Sequence, residues 1–286
     1  MAGRTIVITG GSDGIGAEAA RQVRRADSAA RLILVGRSPE KTAAVAQEVD
    51  AERYLADFAR LDDVRRLAAD IRAVTDRLDV LANNAGGVFG ARTVTTDGNE
   101  KTFQVNLLAP FLLTHLLMDQ LQAGGGAVIN TSSASAKIVG KVHVEDLNHE
   151  KTYAPMRAYG DAKLANILFA RGLHARYHSQ GINAVAFDPG NVRTGFGSET
   201  DDSRIRFMVN VLYRSPLARL ALISPEKGGA NLAFFLTGTP GTDWEPGRFY
   251  SQQKPATSRQ TNKQVHDDAL IDQFWQRTSQ LAGLAS

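Results

Sequence analysis

The chain has 286 residues, 43% of them hydrophobic and 22% charged, which is the composition of a soluble globular protein with enough apolar material for one large α/β core. Its formal net charge is only +3, with lysines and arginines scattered among acids, so the basic excess reads as a solvated surface and no nucleic-acid partner is expected. There is no cysteine, which excludes disulfides, thiolate metal sites and cysteine nucleophiles.

The pattern opens with a β-branched run, Arg4 to Thr9, consistent with a buried parallel strand. It begins within about five residues of Met1, so neither signal peptide nor anchor is expected and the expected location is cytoplasmic. The turn Gly10-Gly11-Ser12-Asp13-Gly14-Ile15-Gly16 follows and leads into a helical pattern, Ala17 to Arg25. Glycines between a first strand and a helix allow close approach of backbone to a pyrophosphate, whose charge the helix N-terminus favours. A second strand, Arg31 to Val35, ends in Gly36-Arg37-Ser38, where an NAD-selective protein would carry an acid for the ribose hydroxyls. Arg37 stands there instead, and a guanidinium–phosphate contact worth ~1.5–3 kcal/mol would favour NADP(H).

Alternation continues with a helix near Glu40 to Val49, a strand near Glu52 to Ala56, a helix near Leu61 to Thr75 and a strand at Asp79 to Ala82. Strands separated by helices predict a parallel sheet covered on both faces, with ligands at the carboxyl ends of the strands. Polar clusters fall at two such ends, Asp57-Phe58 and Asn83-Asn84-Ala85-Gly86. A long helix is expected over Glu100 to Gln122, with Asn106 as a buried amide in need of partners. Its most apolar part, Leu107 to Met118, is far short of the ~20 residues a bilayer span requires, so no transmembrane segment is expected. Strand Ala127 to Thr131 ends in Ser132-Ser133, an irregular stretch runs from Lys137 to Pro155, and strand Ile182 to Phe187 ends in Asp188-Pro189-Gly190.

Between these last two strands a helix carries Tyr159-Gly160-Asp161-Ala162-Lys163. Positions four apart share a helix face, so the Tyr159 hydroxyl and the Lys163 ammonium can address one point. A free tyrosine titrates near ~10, and about three units, ~4 kcal/mol, must come off before it exchanges protons well at neutral pH. A lysine charge ~4 Å away at an effective dielectric of ~20 supplies about that much.

In this order the motifs resemble those of the short-chain dehydrogenase/reductase family: Thr9 to Gly16, Asn83 to Gly86, Ser133, Tyr159 to Lys163, and Pro189-Gly190-Asn191-Val192-Arg193-Thr194. The segment Tyr159 to Phe169 and the long stretch before it resemble the retinol dehydrogenase and protochlorophyllide reductase branch, along with bacterial ketoreductases of that type. The resemblance implies a single-domain Rossmann fold over residues 1–286, a doubly wound parallel sheet of about seven strands with helices on both faces. It implies Gly10, Gly11, Ser12, Asp13 and Ile15 at the pyrophosphate, Arg37 at the 2′-phosphate, Asp57 and Phe58 at the adenine, and Asn84 and Gly86 at its ribose. Pro189, Val192 and Thr194 would meet the nicotinamide, and Tyr159 and Lys163 its ribose. The catalytic set implied is Asn106, Ser133, Tyr159 and Lys163, with Ser133 chosen over Ser132 because relatives with a double serine use the second.

Beyond Thr194 the alternation stops. Phe196, Phe207, Met208, Leu212 and Tyr213 are interleaved with Arg204, Arg206, Arg214 and Arg219, so residues 194–224 are expected to be a substrate lid, or equally core or an oligomer surface. Ser224-Pro225-Glu226 starts a helix running to Thr237, Trp244 to Tyr250 is expected to add a strand, and Val265 to Leu281 a terminal helix within about 263–282. His174 and His178 are four apart without a third ligand in register, so no metal is expected. The expected function is NADPH-dependent reduction of a carbonyl on a bulky apolar small molecule, or the reverse alcohol oxidation, by a monomer or homo-oligomer. The alternatives are reduction of a conjugated C=C bond and a non-catalytic NADP-binding regulator.

Overall fold

The structure is a computed structural model and describes residues 3–192 and 222–284. Arg193, Thr194 and all but the last three residues of the expected lid lie outside the described residues.

Five β-branched or apolar residues in a row make β1 (Thr5–Thr9) fully buried, as a strand covered on both faces must be. Helix α1 (Gly14–Ala26) follows, then β2 (Arg31–Gly36), α2 (Pro39–Glu48), β3 (Glu52–Leu55), α3 (Leu61–Val74) and β4 (Val80–Asn83). Strand β5 (Ala127–Thr131) and strand β6 (Asn183–Asp188) continue the sheet, and β7 (Phe249–Ser251) and β8 (Lys254–Pro255) close it. The order is β3-β2-β1-β4-β5-β6-β7-β8, parallel throughout except for the β7–β8 pair. This is the expected doubly wound sheet, with one strand more than the seven read from sequence. The addition is the two-residue hairpin partner of β7, too short to leave a pattern.

The order reverses between β1 and β4, and there the chain leaves the carboxyl edge in opposite directions, opening a crevice between the two loops. One apolar cluster joins α1, α2 and helix Pro225–Thr237 to one face, and another joins α3 and the helices of residues 101–177 to the opposite face.

Three expected elements are redrawn. The helix over Glu100 to Gln122 is four pieces: α4 (Lys101–Phe103), a π-helical turn at Gln104–Leu108, α5 (Ala109–Leu116) and α6 (Met118–Gly124). Pro110 has no N–H to give the carbonyl of Asn106, and the turn widens so that Ala109 N–H bonds to Gln104 O instead. The last parallel strand is Phe249–Ser251 rather than Trp244 to Tyr250, because Pro246-Gly247 turns the chain, with Gly247 at φ +80°. The stretch after β5 is less irregular than expected, containing α7 (Ser135–Ile138) and a 3₁₀ turn at Val144–Asp146 before α8 (Pro155–Tyr177).

Helix α9 (Pro225–Thr237) is capped by Ser224, whose Oγ accepts the Lys227 N–H, and it lies against α1 with a glycine pair at the contact. A Cβ on Gly229 would sit 2.4 Å from Glu18 Cβ and 2.9 Å from Ala19 N. The terminal helix α10 (Asp268–Leu281) begins after a 3₁₀ turn at Lys263–His266 and buries Phe274 and Trp275, with Trp275 against Gly172 of α8. Alanine in a helix gains ~1 kcal/mol over glycine, yet forcing a methyl against backbone costs about 1–3 kcal/mol. Gly229→Ala is therefore expected to lower the urea midpoint of unfolding, and a midpoint equal to or above wild type would show that the α1–α9 contact yields freely.

Candidate functional site

The glycine turn after β1 is shaped by close approach. Gly10 has φ +67°, and a Cβ on it would lie 3.0 Å from Ala85 Cα; one on Gly16 would lie 2.2 Å from Gly10 O. The Thr9 hydroxyl donates to Ala82 O at 2.9 Å and accepts the N–H groups of Asn84 and Ala85 at 3.0 and 3.1 Å, so one side chain fixes the β4 turn against the β1 turn. Asp13 caps α1 through Gly14 N–H at 2.7 Å and pairs with Lys41 Nζ at 2.7 Å. The Lys41 hydrogen bond holds the Asp13 carboxyl below the usual carboxylate range.

A cavity of about 480 Å³ opens over these turns. Of the residues expected at a dinucleotide, Gly10, Ser12, Asp13, Ile15, Arg37, Asp57, Phe58, Asn84 and Gly86 all line it. Gly11 does not, its N–H bonding to Val35 O and a Cβ there pressing on Leu34, and Tyr159, Lys163, Pro189 and Val192 also lie outside its lining. Asn84 lines the cavity, but its amide is committed below, Nδ2 to Thr9 O at 3.0 Å and Oδ1 to the Thr131 hydroxyl at 3.3 Å. At the Arg37 end lie two residues that the sequence reading missed, Ser38 and Lys41. Arg37 precedes the N-cap Ser38 of α2, so helical spacing does not link it to Lys41, and what sets Lys41 in place is its ion pair with Asp13. Phe89 and Lys101 are further lining residues missed, with Lys101 Nζ 4.6 Å above the Phe89 ring.

Of the four groups expected to do chemistry none lines the cavity itself, but Asn106 and Lys163 stand directly behind Gly86, which does. A Cβ on Gly86 would come within 2.4 Å of Asn106 Oδ1 and 3.2 Å of Lys163 Nζ, so glycine is required for them to reach the cavity edge. Lys163 is buried, donates to Thr131 O at 3.1 Å, and has its Nζ 5.5 Å from the centroid of the Tyr159 ring. Burial brings its pKa down to about 8. The two serines divide their tasks: Ser132 is buried and donates to Lys163 O at 2.7 Å, while Ser133 is partly exposed, its Oγ accepting Ser135 N–H at 3.2 Å and its own O–H still available. The Asn106 side chain is fully occupied, accepting Gly87 N–H at 3.0 Å and donating to Gly87 O and Thr102 O at 2.9 Å. Its backbone carbonyl accepts Asn166 Nδ2 at 3.0 Å.

On the other side Pro189 and Val192 are buried, and Val192 meets Ile15 around Gly228, where a Cβ would lie 2.7 Å from Val192 Cγ2 and 3.1 Å from Ile15 Cγ1. His174 and His178 have ring centroids 4.5 Å apart, and no group of three metal-ligating side chains occurs among the described residues. No helix among them is long and apolar enough to cross a membrane.

Comparison with known proteins gives a consistent result. The family model described as short chain dehydrogenase matches residues 4–204. The protein named "Putative daunorubicin C-13 ketoreductase DnrU" of Streptomyces sp. (strain C5) is 35% identical over 99% of this chain and 94% of its own length. Human retinol dehydrogenase 13 is 31% identical over 99% of this chain and 85% of its own. Among solved structures, the Pseudomonas aeruginosa RhlG/NADP active-site complex superposes with a TM-score of 0.65 at 25% identity, covering 88% of this chain and 95% of that one.

The depressed Lys163 pKa carries a testable cost. Moving it from 10.5 to about 8 corresponds to roughly 3 kcal/mol against folding with the ammonium charged, at ~1.4 kcal/mol per unit. That cost is full below pH 8 and vanishes above the unfolded pKa near ~10.4, where both states are neutral. Lys163→Met in the cofactor-free protein is therefore expected to raise stability at pH 7 by about 1–3 kcal/mol, with a smaller gain at pH 9.5. Urea unfolding at the two pH values checks this, and a loss of stability at pH 7 would contradict the burial cost.

Proposed function

This chain belongs to the short-chain dehydrogenase family, and within it we propose an NADPH-dependent reductase of carbonyl groups on bulky apolar small molecules, running in reverse as an alcohol dehydrogenase. The observation that carries the reading is the juxtaposition at Gly86: a buried Lys163 beside the Tyr159 ring, at the edge of a cavity whose far end presents Arg37 and Lys41. Two cations suit a 2′-phosphate, and the amides of the Gly10–Gly14 turn at the start of α1 suit a pyrophosphate. The nicotinamide, when bound, supplies the hydride.

The chain's own groups handle the oxygen and the proton. Ser133 and Tyr159 donate hydrogen bonds to the substrate oxygen as negative charge grows on it, and Tyr159 passes it a proton. The Lys163 ammonium favours the resulting phenolate, since an opposite charge nearby stabilises the ionised form. Burial of Lys163 strengthens that effect by excluding water. Asn106, against Gly86 beside Lys163, is placed to help relay the proton from Lys163 towards solvent. The names of the relatives support the substrate class, a "Putative daunorubicin C-13 ketoreductase" in one case and retinol dehydrogenases in others.

Turnover is read as loss of nicotinamide absorbance with NADPH, and separately NADH, against bulky apolar aldehydes and polycyclic ketones. Tyr159→Phe is expected to lower kcat by about 10²–10⁴-fold while NADPH binding stays within about threefold, because only a proton donor is removed. Full activity in that variant removes the assignment, and tight NADPH binding without turnover of any substrate favours a regulator. Replacing Arg37 by Ala is expected to raise KM for NADPH by about ten- to a hundredfold and leave that for NADH nearly unchanged, since only the 2′-phosphate loses a partner. An equal effect on both cofactors would remove the NADP preference.

A further inference from the structure

Asn231 of α9 is almost fully buried and bonds both to the turn that follows β6 and to the β7–β8 connection. Its Nδ2 donates to Pro189 O at 2.9 Å, and its Oδ1 accepts Gln253 Nε2 at 3.1 Å. The same turn is gripped from within by Asp188, whose Oδ1 accepts Gly190 N–H at 3.0 Å. Asp188 O in turn accepts the Gln252 N–H at 2.7 Å. Gln252 and Gln253 form the tip of the β7–β8 hairpin, and Gln252 holds φ +57°, a left-handed conformation that costs a side-chain-bearing residue energy and persists only where surroundings impose it. Hairpin tip, α9 and the Pro189-Gly190 turn are thus one hydrogen-bonded unit.

The position of α9 is itself fixed by α1. Gly228 meets Ile15 and Val192, and Gly229 meets Glu18 and Ala19, so closely that neither tolerates a Cβ without movement. A single helix therefore takes its register from the helix that starts at the glycine-rich turn and transmits that register to Pro189 through one buried amide. We propose that Asn231 is a positioning residue, holding the Pro189–Val192 turn in place against the nicotinamide half of the cofactor. The inference rests on the functional reading above, in which Val192 meets the nicotinamide. Asn231 touches neither cofactor nor substrate and acts through the Pro189 carbonyl.

The test separates the two halves of the cofactor. Binding of NADPH and of adenosine 2′,5′-bisphosphate, which lacks the nicotinamide, is measured by calorimetry for wild type, Asn231→Ala and Gln253→Ala. Asn231→Ala is expected to weaken NADPH by about five- to twentyfold and to leave adenosine 2′,5′-bisphosphate within twofold, as loss of one buried hydrogen bond at the nicotinamide end requires. On a turned-over carbonyl, kcat should fall by roughly ten- to a hundredfold with a larger deuterium isotope effect from 4-deuterated NADPH, because a displaced ring slows hydride transfer itself. Amide exchange of residues 186–192 should quicken while that of α1 does not. Gln253 is exposed, so its replacement leaves the fold intact and should shift NADPH alone in the same direction by a smaller factor; it decides the matter if Asn231→Ala does not fold. Equal weakening of both ligands, or of neither, overturns the positioning role. Failure of wild type to bind either ligand overturns the functional reading instead, and the exchange of residues 186–192 then still reports whether Asn231 holds the turn.

Discussion

A buried ammonium is the constraint around which the site is arranged. Lys163 reaches the cavity edge with its Nζ donating to Thr131 O, and burial brings its pKa down to about 8. Such a group is tolerated only if the surroundings over-determine its place. They do so through the backbone: Ser132 ties the Lys163 carbonyl to the end of β5, Thr131 takes the ammonium, and Gly86 leaves room that any larger residue would fill. The consequence is a charge beside Tyr159 that water screens weakly and that cannot swing away.

The crossing point of the sheet makes this arrangement possible. Because β1 and β4 are neighbours whose loops diverge, the glycine turn, the Asn84 turn and the Ser133 turn lie side by side at one edge. Thr9 and Asn84 then lock them by hydrogen bonds between strands far apart in sequence. Asn83 continues the same network inward, donating to Thr114 and Asn130. The polar residues at the strand ends serve mainly one another, and the cavity is lined by what that mutual bonding leaves exposed.

The parts legible in sequence were those with local causes. Strands buried on both faces, glycines at a positive φ or a close approach, and Arg37 at the end of β2 each leave a mark within a few residues. Tyr159 and Lys163 were legible through helical spacing, and Ser133 through the resemblance. What escaped depended on distant partners. Lys41 matters because α2 brings it beside Asp13, and Asn231 because α9 packs on α1. The β8 strand exists only as a partner for β7, and the break in the helix after Glu100 turned on one missing N–H at Pro110, visible in sequence but outweighed by the apolar pattern around it.

Asp161 shows how much one turn of α8 must accomplish. It lies between Tyr159 and Lys163 but faces the opposite way, accepting Lys141 N–H at 2.6 Å and Arg157 Nε at 3.2 Å, with His149 Nε2 3.7 Å away. Burial pushes its carboxyl above the usual carboxylate range even with these partners present. A neutral residue there would cost less to bury, but it would not hold the segment between α7 and α8 that begins at Gly140 against the helix. Gly160 completes the contact, since a Cβ on it would strike Val139 and Gly140. The three residues between Tyr159 and Lys163 are therefore constrained on two sides at once, by the seating of Lys163 behind Gly86 on one and by the docking of residues 139–149 on the other.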